Sequence, residues 1–448
     1  MSMWRIMTTV VFIVCFSFCS KGEEKGKNEE SKFKESVFLV NWDNPMQTII
    51  ASGINFEGYH TTGGSEVLSP KFETMLSMLP CNLNRMNLPL KIWEPENDNA
   101  DPHEMNWSRF SDTDGVKYTF LRMQELKRRG MESWLSIWDM ADWNVLNPQK
   151  SSQRKIADFD EMAESIAAFL IHAREKYGVE PLYVSVNEPT IAAENGWGGY
   201  NIALTPDEQI ELIRKAGRLF EENSIKTKWL IALHKICPSE IKQAKEIYAD
   251  AEVKKYAAGF DFHGYGMHTA EMETCLRAWK EWSSTTELPT FCGECDYDNR
   301  FWEKDERKYW GEAPKKYGRL IHNVLNLAGV NGFMPWYGNV PFEEYPYRYV
   351  SKHFMEAFLP ETQLVETLSE NSDILVTAGK MGNKYVLVIQ NLSNGPVRVK
   401  VENQPSISWE WISSKNHLYF RKEEVVRTEN RTLVLDLPAN SIHNLTGI

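Results

Sequence analysis

Three shortages in this chain each exclude a class of function. Cysteine is the first: there are seven in 448 residues, and the five beyond residue 19 are Cys81, Cys237, Cys275, Cys292 and Cys295. An odd and sparse set implies no disulfide framework. Cys292 and Cys295 have the spacing of a redox pair, but no second cysteine pair accompanies them for zinc, so they read as small strand residues. The second shortage is positive charge. With 50 Lys and Arg against 62 Asp and Glu, the net charge of -12 argues against nucleic acid or an anionic membrane surface as the main partner, since both need a basic face. The third is cofactor chemistry. No His-Glu-x-x-His or similarly spaced ligand set is present, no P-loop, and no dinucleotide fingerprint after a strand, so neither metal nor cofactor is expected.

What is present is a soluble globular composition, 42% hydrophobic and 25% charged, long enough for two or three domains. Sixteen Trp and seventeen Tyr stand out, because aromatic faces both fill cores and stack on sugar rings. At the N-terminus Arg5 precedes an apolar run over 6–18 that is too short to span a bilayer, which reads as a cleaved signal peptide over residues 1–19. Cys19 directly after that run resembles the lipid-attachment site of bacterial lipoproteins. The acidic run behind it resembles their surface-export signal in Bacteroidetes-type bacteria. The resemblance implies a lipoprotein of the outer membrane or cell surface, touching membrane only through its lipid. Cleavage by an ordinary signal peptidase implies a periplasmic or secreted protein instead. Residues 20–35 are Lys, Glu, Gly, Ser and Asn with almost nothing apolar, a solvated tether.

The folded part is organised around Glu188 and Glu294. Glu188 closes Leu182-Tyr183-Val184-Ser185-Val186-Asn187-Glu188-Pro189, and Glu294 closes Leu288-Pro289-Thr290-Phe291-Cys292-Gly293-Glu294. Each run is β-branched and aromatic and bounded by Pro or Gly, which predicts a buried strand with a carboxylate at its C-terminal tip. Either glutamate alone has an equally simple reading as a cap for the next helix. Eight strand-like runs, at 48–55, 82–88, 132–138, 182–187, 229–234, 259–264, 289–294 and 330–336, alternate with helical stretches. One helix carries Ile156, Phe159, Met162, Ile166, Phe169 and Leu170 on one face and ends at Gly178. Another opens at Thr205-Pro206-Asp207-Glu208. The fold class is therefore α/β, a (β/α)8 TIM barrel over 47–358. In such a barrel the strand tips converge on one face, so glutamates about a hundred positions apart flank one substrate bond. Paired carboxylates there are the chemistry of glycoside cleavage.

Beyond 358 the helical period gives way to β-type runs separated by turns such as Met381-Gly382-Asn383 and Ser393-Asn394-Gly395. This predicts an antiparallel β-sandwich over 359–448, joined by a strand within 36–46. Such a domain either supports the barrel or binds glycan.

Taken with its strand-end residues, the barrel resembles the retaining glycoside hydrolases of clan A, and with the C-terminal domain it is most similar to glycoside hydrolase family 30. Asn187-Glu188-Pro189 matches the clan's fourth-strand acid/base motif, and Glu294 its seventh-strand nucleophile. Arg85 in Asn84-Arg85-Met86-Asn87, His263 and Tyr265 in His263-Gly264-Tyr265, and Trp336 look like the clan's arginine, histidine, tyrosine and floor tryptophan. The first strand, Gly53-Ile54-Asn55-Phe56-Glu57-Gly58, departs from the Gly-Phe-Gly-Gly turn of family 30. The resemblance implies a retaining hydrolase of β-linked oligo- or polysaccharide. Asn187 would bind the hydroxyl beside the reacting carbon, and Arg85 and Tyr265 would sit against Glu294. Arg85 also reads as an ordinary ion pair, Tyr265 as core, and His263 equally as site or as a satisfied barrel histidine. Trp138, Asp139, Asp142 and Trp143 after the third strand mix aromatics and carboxylates as a sugar subsite does, the first two nearer the tip. Asp142 reads as well as a helix cap. Glu57 and His60 after the first strand are similar candidates. The reading from another class is a catalytically inactive, glycan-binding surface lipoprotein, which has no need of both carboxylates.

Overall fold

The computed structural model describes residues 34–56, 67–149, 154–189, 202–296, 309–336, 345–369 and 371–447. The leader, Cys19, nearly all of the tether, Glu57 and His60 lie outside the described residues. Among the described residues no helix is long and apolar enough to cross a membrane.

A long strand, β1 (Lys34–Thr48), leads into a closed barrel of eight. These are β2 (Ala51–Phe56), β3 (Leu83–Asn87), β4 (Glu132–Ile137), β5 (Tyr183–Val186), β6 (Lys228–Ala232), β7 (Ala257–His263), β8 (Thr290–Cys295) and β9 (Gly332–Pro335). Each lies parallel to the next, and β9 returns to β2. The eight runs read from the sequence are these eight strands, because strands buried on both faces are written as nearly unbroken apolar runs. The intervening helices start and stop on local signals. In the helix Phe159–Tyr177 the Asp158 side chain accepts from the backbone N–H of Asp160 and Glu161, and Gly178 ends it at φ 66°. Ile156 precedes that helix and pairs with Val145 in an isolated bridge, although its spacing fits the helical face. Thr205 and Glu208 form a reciprocal capping box on the helix Pro206–Glu222.

The barrel interior is layered. Ala51, Leu83, Trp134, Leu230, Phe291 and Met334 fill its lower part as one apolar cluster, while the polar residues Asn55, Arg85, Ser136, Asn187, His263 and Glu294 stand nearer the C-terminal tips. The β7–β8 register shifts between Phe262 paired with Cys292 and His263 paired with Glu294, so Gly293 is the extra residue of a bulge that re-aims Glu294. Only glycine fits there: a Cβ on Gly293 would lie 2.1 Å from Asp261 Oδ1 and 2.5 Å from a Trp134 ring carbon.

The C-terminal domain contains β10 (Gln363–Ser369), β11 (Ile374–Met381), β12 (Lys384–Asn391), β13 (Val397–Glu402), β14 (Ser408–Lys415), β15 (Leu418–Lys422), β16 (Val426–Arg427), β17 (Leu433–Leu437) and β18 (Ser441–Gly447). With β1 they make one ten-stranded sheet, curled so that residues from both ends share a core that includes Phe38, Val365, Leu387, Val399, Trp409 and Leu435. The sheet is mixed: β1 runs antiparallel to β10 but parallel to β13, because it arrives from the opposite end of the chain and inserts between them. Alternation along β12 divides the burial. Leu387 and Ile389 face the domain's own core, while Val386 and Val388 join the core of the barrel. His353 on the helix Arg348–Ala357 fixes the joint through Asn444 Oδ1 at 2.9 Å and Ser414 Oγ at 2.7 Å.

Candidate active site

Arg85, on β3 and 1% exposed, is the hub of the barrel mouth. Its Nη1 donates to Asn55 Oδ1 at 2.8 Å and to Glu294 Oε2 at 3.1 Å. Its Nη2 donates to Ser136 Oγ at 2.8 Å and Asn187 Oδ1 at 2.6 Å, and lies 3.3 Å from His263 Nε2. A guanidinium can only donate, so Nε2 of His263 accepts and the ring carries its proton on Nδ1. That Nδ1–H donates to Glu188 Oε1 at 2.8 Å. Burial pulls His263 down to about 3, so the imidazole is neutral at ordinary pH.

Glu294 receives a second bond, from Tyr265 O–H to Oε1 at 2.7 Å. Burial raises its carboxyl above the usual range, and proximity to Glu188 adds to this. A protonated His263 would oppose the rise, but the neutral ring leaves that work to Arg85 and the Tyr265 hydroxyl. Glu188 lies at a strand tip with φ 40°, a left-handed backbone for a non-glycine residue, the kind of local strain that clusters at functional sites. His234 Nε2 stands 3.9 Å from Glu188 Oε1, and burial pulls this imidazole to about 4.

Trp138 and Trp336, from the tips of β4 and β9, face each other with centroids 5.5 Å apart at 34°, and the Arg85 guanidinium lies 5.6 Å from the Trp138 ring. Asp139 is only 3% exposed, and its Oδ1 is held by Arg154 at 2.6 Å and by the Met140 N–H at 2.9 Å. It belongs to an ion-pair cluster that includes Lys91, 3.1 Å from Asp142, and not to the Arg85 network. Asp142 opens the short helix Asp142–Asn144 and is 69% exposed. Trp143 bonds the Glu94 carbonyl at 2.9 Å.

Thus Arg85, Asn187, Glu188, His263, Tyr265 and Glu294 come together, Trp138 and Trp336 stand beside them, and Asp139, Asp142 and Trp143 are engaged elsewhere. Sequence reasoning passed over Asn55, Ser136, His234 and Asp261. Asp261 is 1% exposed two residues before His263, accepts from Ser185 Oγ at 3.3 Å, and burial pushes it up to about 7. The period of two in Asp261-Phe262-His263 is the signal that could have found it.

Ligand atoms of Glu188, His263 and Glu294 all lie within 4.8 Å of one another, close enough to hold a metal. The Arg85 cation already occupies Glu294 Oε2, however, and would repel a second cation there. What the arrangement offers chemically is two carboxyls facing one small volume, one beside a cation and the other beside a neutral imidazole.

No family model matches the sequence, and no curated protein matches it. Solved structures do match. A family 30 endoxylanase from Clostridium papyrosolvens C71 superposes with a TM-score of 0.72 at 17% identity, over 92% of this chain and 100% of that one. A conserved exported protein from Bacteroides fragilis gives 0.72 at 14%, over 92% and 100%. An endo-β1,6-glucanase gives 0.64 at 14%, over 92% and 93%. The fold is that of the family 30 glycoside hydrolases, and the structural neighbours include glycoside hydrolases of more than one specificity.

Proposed function

We propose that, on this family 30-like fold, the chain is a retaining O-glycosyl hydrolase that cleaves β-linked glycans by double displacement, with Glu294 as nucleophile and Glu188 as acid and then base. One observation carries the reading: oxygens of the two carboxylates lie within 4.8 Å of each other. Retaining enzymes hold the pair about 5 to 5.5 Å apart, whereas inverting enzymes need about 6.5 to 9.5 Å to admit a water. In the first step Glu294 attacks the anomeric carbon while Glu188 gives its proton to the departing oxygen. In the second, Glu188 takes a proton from water, which displaces Glu294 from the sugar.

The neighbours of each carboxyl support this division. The Arg85 cation and the Tyr265 hydroxyl favour an ionised Glu294 against its burial, and the His263 N–H orients Glu188 without adding charge. Asn187, fixed through its carbonyl by Arg85, is assigned the hydroxyl beside the reacting carbon, and Trp138 and Trp336 the sugar face. The proposed catalytic unit is 47–358, with 359–448 and the strand within 36–46 as support. We place the protein outside the cytoplasm, anchored through Cys19; residues 1–19 and the exported Bacteroides fragilis neighbour support this.

The test is hydrolysis of aryl β-glycosides, xylan and β1,6-glucan by the mature chain beside Glu294→Gln and Glu188→Gln, with the first anomer followed by NMR. Retention is expected, with a loss of about 10²- to 10⁴-fold or more in each variant on unactivated substrate. A fluorinated slow substrate should label Glu294. Inversion, or label elsewhere, overturns the assignment. Binding without cleavage in all three proteins would make the barrel a glycan binder.

A further inference from the structure

A second cluster of carboxyls lies apart from the two glutamates. Glu94 and Asp98 follow the short helix Leu90–Trp93 in the loop after β3, and Glu161 and Glu164 stand on the first turns of the helix Phe159–Tyr177. All four are buried, at 0%, 6%, 5% and 0% exposure. None makes an ion pair with a described residue. Carboxylate oxygens of Glu94, Asp98 and Glu161 lie within 4.8 Å of one another, and Glu164 faces all three.

The decisive observation is where the oxygens point. Glu94 Oε1 accepts the Asp98 N–H at 3.2 Å, and Asp98 Oδ2 accepts from Asn99 Nδ2 at 3.1 Å and from the Asn106 N–H at 2.5 Å. These bonds shape the loop without the remaining oxygens. Glu94 Oε2, Asp98 Oδ1, Glu161 Oε2 and both Glu164 oxygens are buried with no amide or hydroxyl donor on them; Glu161 and Glu164 bond each other when one carries a proton, and the Asn97 side chain donates to Glu161. A buried acceptor left unpaired costs about 1 to 3 kcal/mol, and a charged one more, so the five carboxyl oxygens of this cluster need an occupant.

We propose that these four carboxyls form a divalent cation site of the calcium class, which staples the loop after β3 to the helix after β4. The donor set is oxygen only and anionic, without imidazole or thiolate, which selects hard ions. Calcium takes 6 to 8 oxygens in flexible geometry and accepts bidentate carboxylates, so four carboxyls, three of them with oxygens within 4.8 Å of one another, can supply most of that shell. Magnesium demands a stricter octahedron and keeps its waters, which a buried cluster cannot supply as easily. Protons are the competing occupant. Each satisfies one contact between two carboxyls, as between Glu161 and Glu164, and leaves the other oxygens bare. Because Trp143 bonds the Glu94 carbonyl, the staple also steadies the segment that follows β4 at the barrel mouth.

The test uses the mature full-length chain after chelation and dialysis, with calcium alone as probe. Calorimetric titration should give one Ca²⁺ per chain. Calcium at a hundredfold excess over Kd should raise Tm by about 3 °C. Glu161→Gln should lose both responses. If that variant fails to fold, competition between Ca²⁺ and Mg²⁺ on the wild type decides, with Ca²⁺ expected to bind at least tenfold tighter. A wild type that binds no calcium and melts unchanged overturns the proposal, as does a Glu161→Gln variant that still binds. A cluster that serves only to share protons would give that first result.

Discussion

Replacing Asp261 by Asn should flatten the dependence of stability on pH, and the size of the effect follows from its surroundings. Asp261 is 1% exposed, its Oδ1 has no hydrogen-bond partner, and Oδ2 has only the Ser185 hydroxyl at 3.3 Å. Burial pushes this carboxyl up to about 7, against about 3.9 in the unfolded chain. Between those values the native state holds a proton that the unfolded state has released. The stabilisation is complete below about pH 4 and is lost as pH rises through about 7. About 1.4 kcal/mol per pH unit over this window gives about 4 kcal/mol as an upper bound, or about 4 °C in Tm for a chain of this size. Asn keeps the shape and the Ser185 bond but carries no proton to lose. Thermal melts of wild type and Asp261→Asn at fixed ionic strength should therefore diverge from about pH 4 to about pH 7 in favour of the variant. Parallel curves across that range would refute the reasoning.

Two further substitutions probe the same wall of the barrel. Tyr265→Phe removes the donor 2.7 Å from Glu294 Oε1; because that bond favours the ionised carboxyl, the acid limb of the kcat/KM profile should move to higher pH. At the acid end the loss should be about 10- to 100-fold, and a uniform fall with an unmoved limb counts against the role given to Tyr265. Gly293→Ala drives a Cβ to 2.1 Å from Asp261 Oδ1 and should cost about 2 to 3 kcal/mol or more in a chemical denaturation curve. Adding Asp261→Ala should recover part of it, and an undiminished loss in the double variant would place the strain elsewhere.

The barrel and its two glutamates were legible because parallel strands buried on both faces print as apolar runs, and a carboxyl at the end of such a run stands out. Capping chemistry was equally readable, as at Thr205 and Gly178, since it is settled within a few residues. What escaped notice depends on partners far along the chain. Arg85 bonds Asn187 from 102 positions away, and nothing local distinguishes Asn55 or Ser136 from other strand residues. Asp139 shows what a strand-tip position leaves unsaid: its Oδ1 is held by Arg154, a partner fifteen positions on that the local pattern does not name. Glu161 and Glu164 lie in a helix whose apolar face is plain, yet burial by the loop after β3 is a tertiary event that the pattern does not record.

Two identical side chains can hold different protonation states only if their neighbours differ, and here a single arginine arranges both sets of neighbours. Arg85 touches Glu294 directly and lends it a positive charge. It reaches Glu188 through His263, whose Nε2 it fills, so the ring must present Nδ1–H to the carboxyl. Were His263 free to take the other tautomer, a lone pair would face Glu188 Oε1 and favour the protonated acid; were the ring charged, it would favour the carboxylate still more than the neutral N–H does. The neutral, Nδ1-protonated ring holds Glu188 in place with the smaller of the two ionising influences. That leaves the stronger one, the guanidinium, to Glu294. This asymmetry supports nucleophile and acid/base in the proposed order, and it comes from the donor-only chemistry of Arg85 more than from either glutamate.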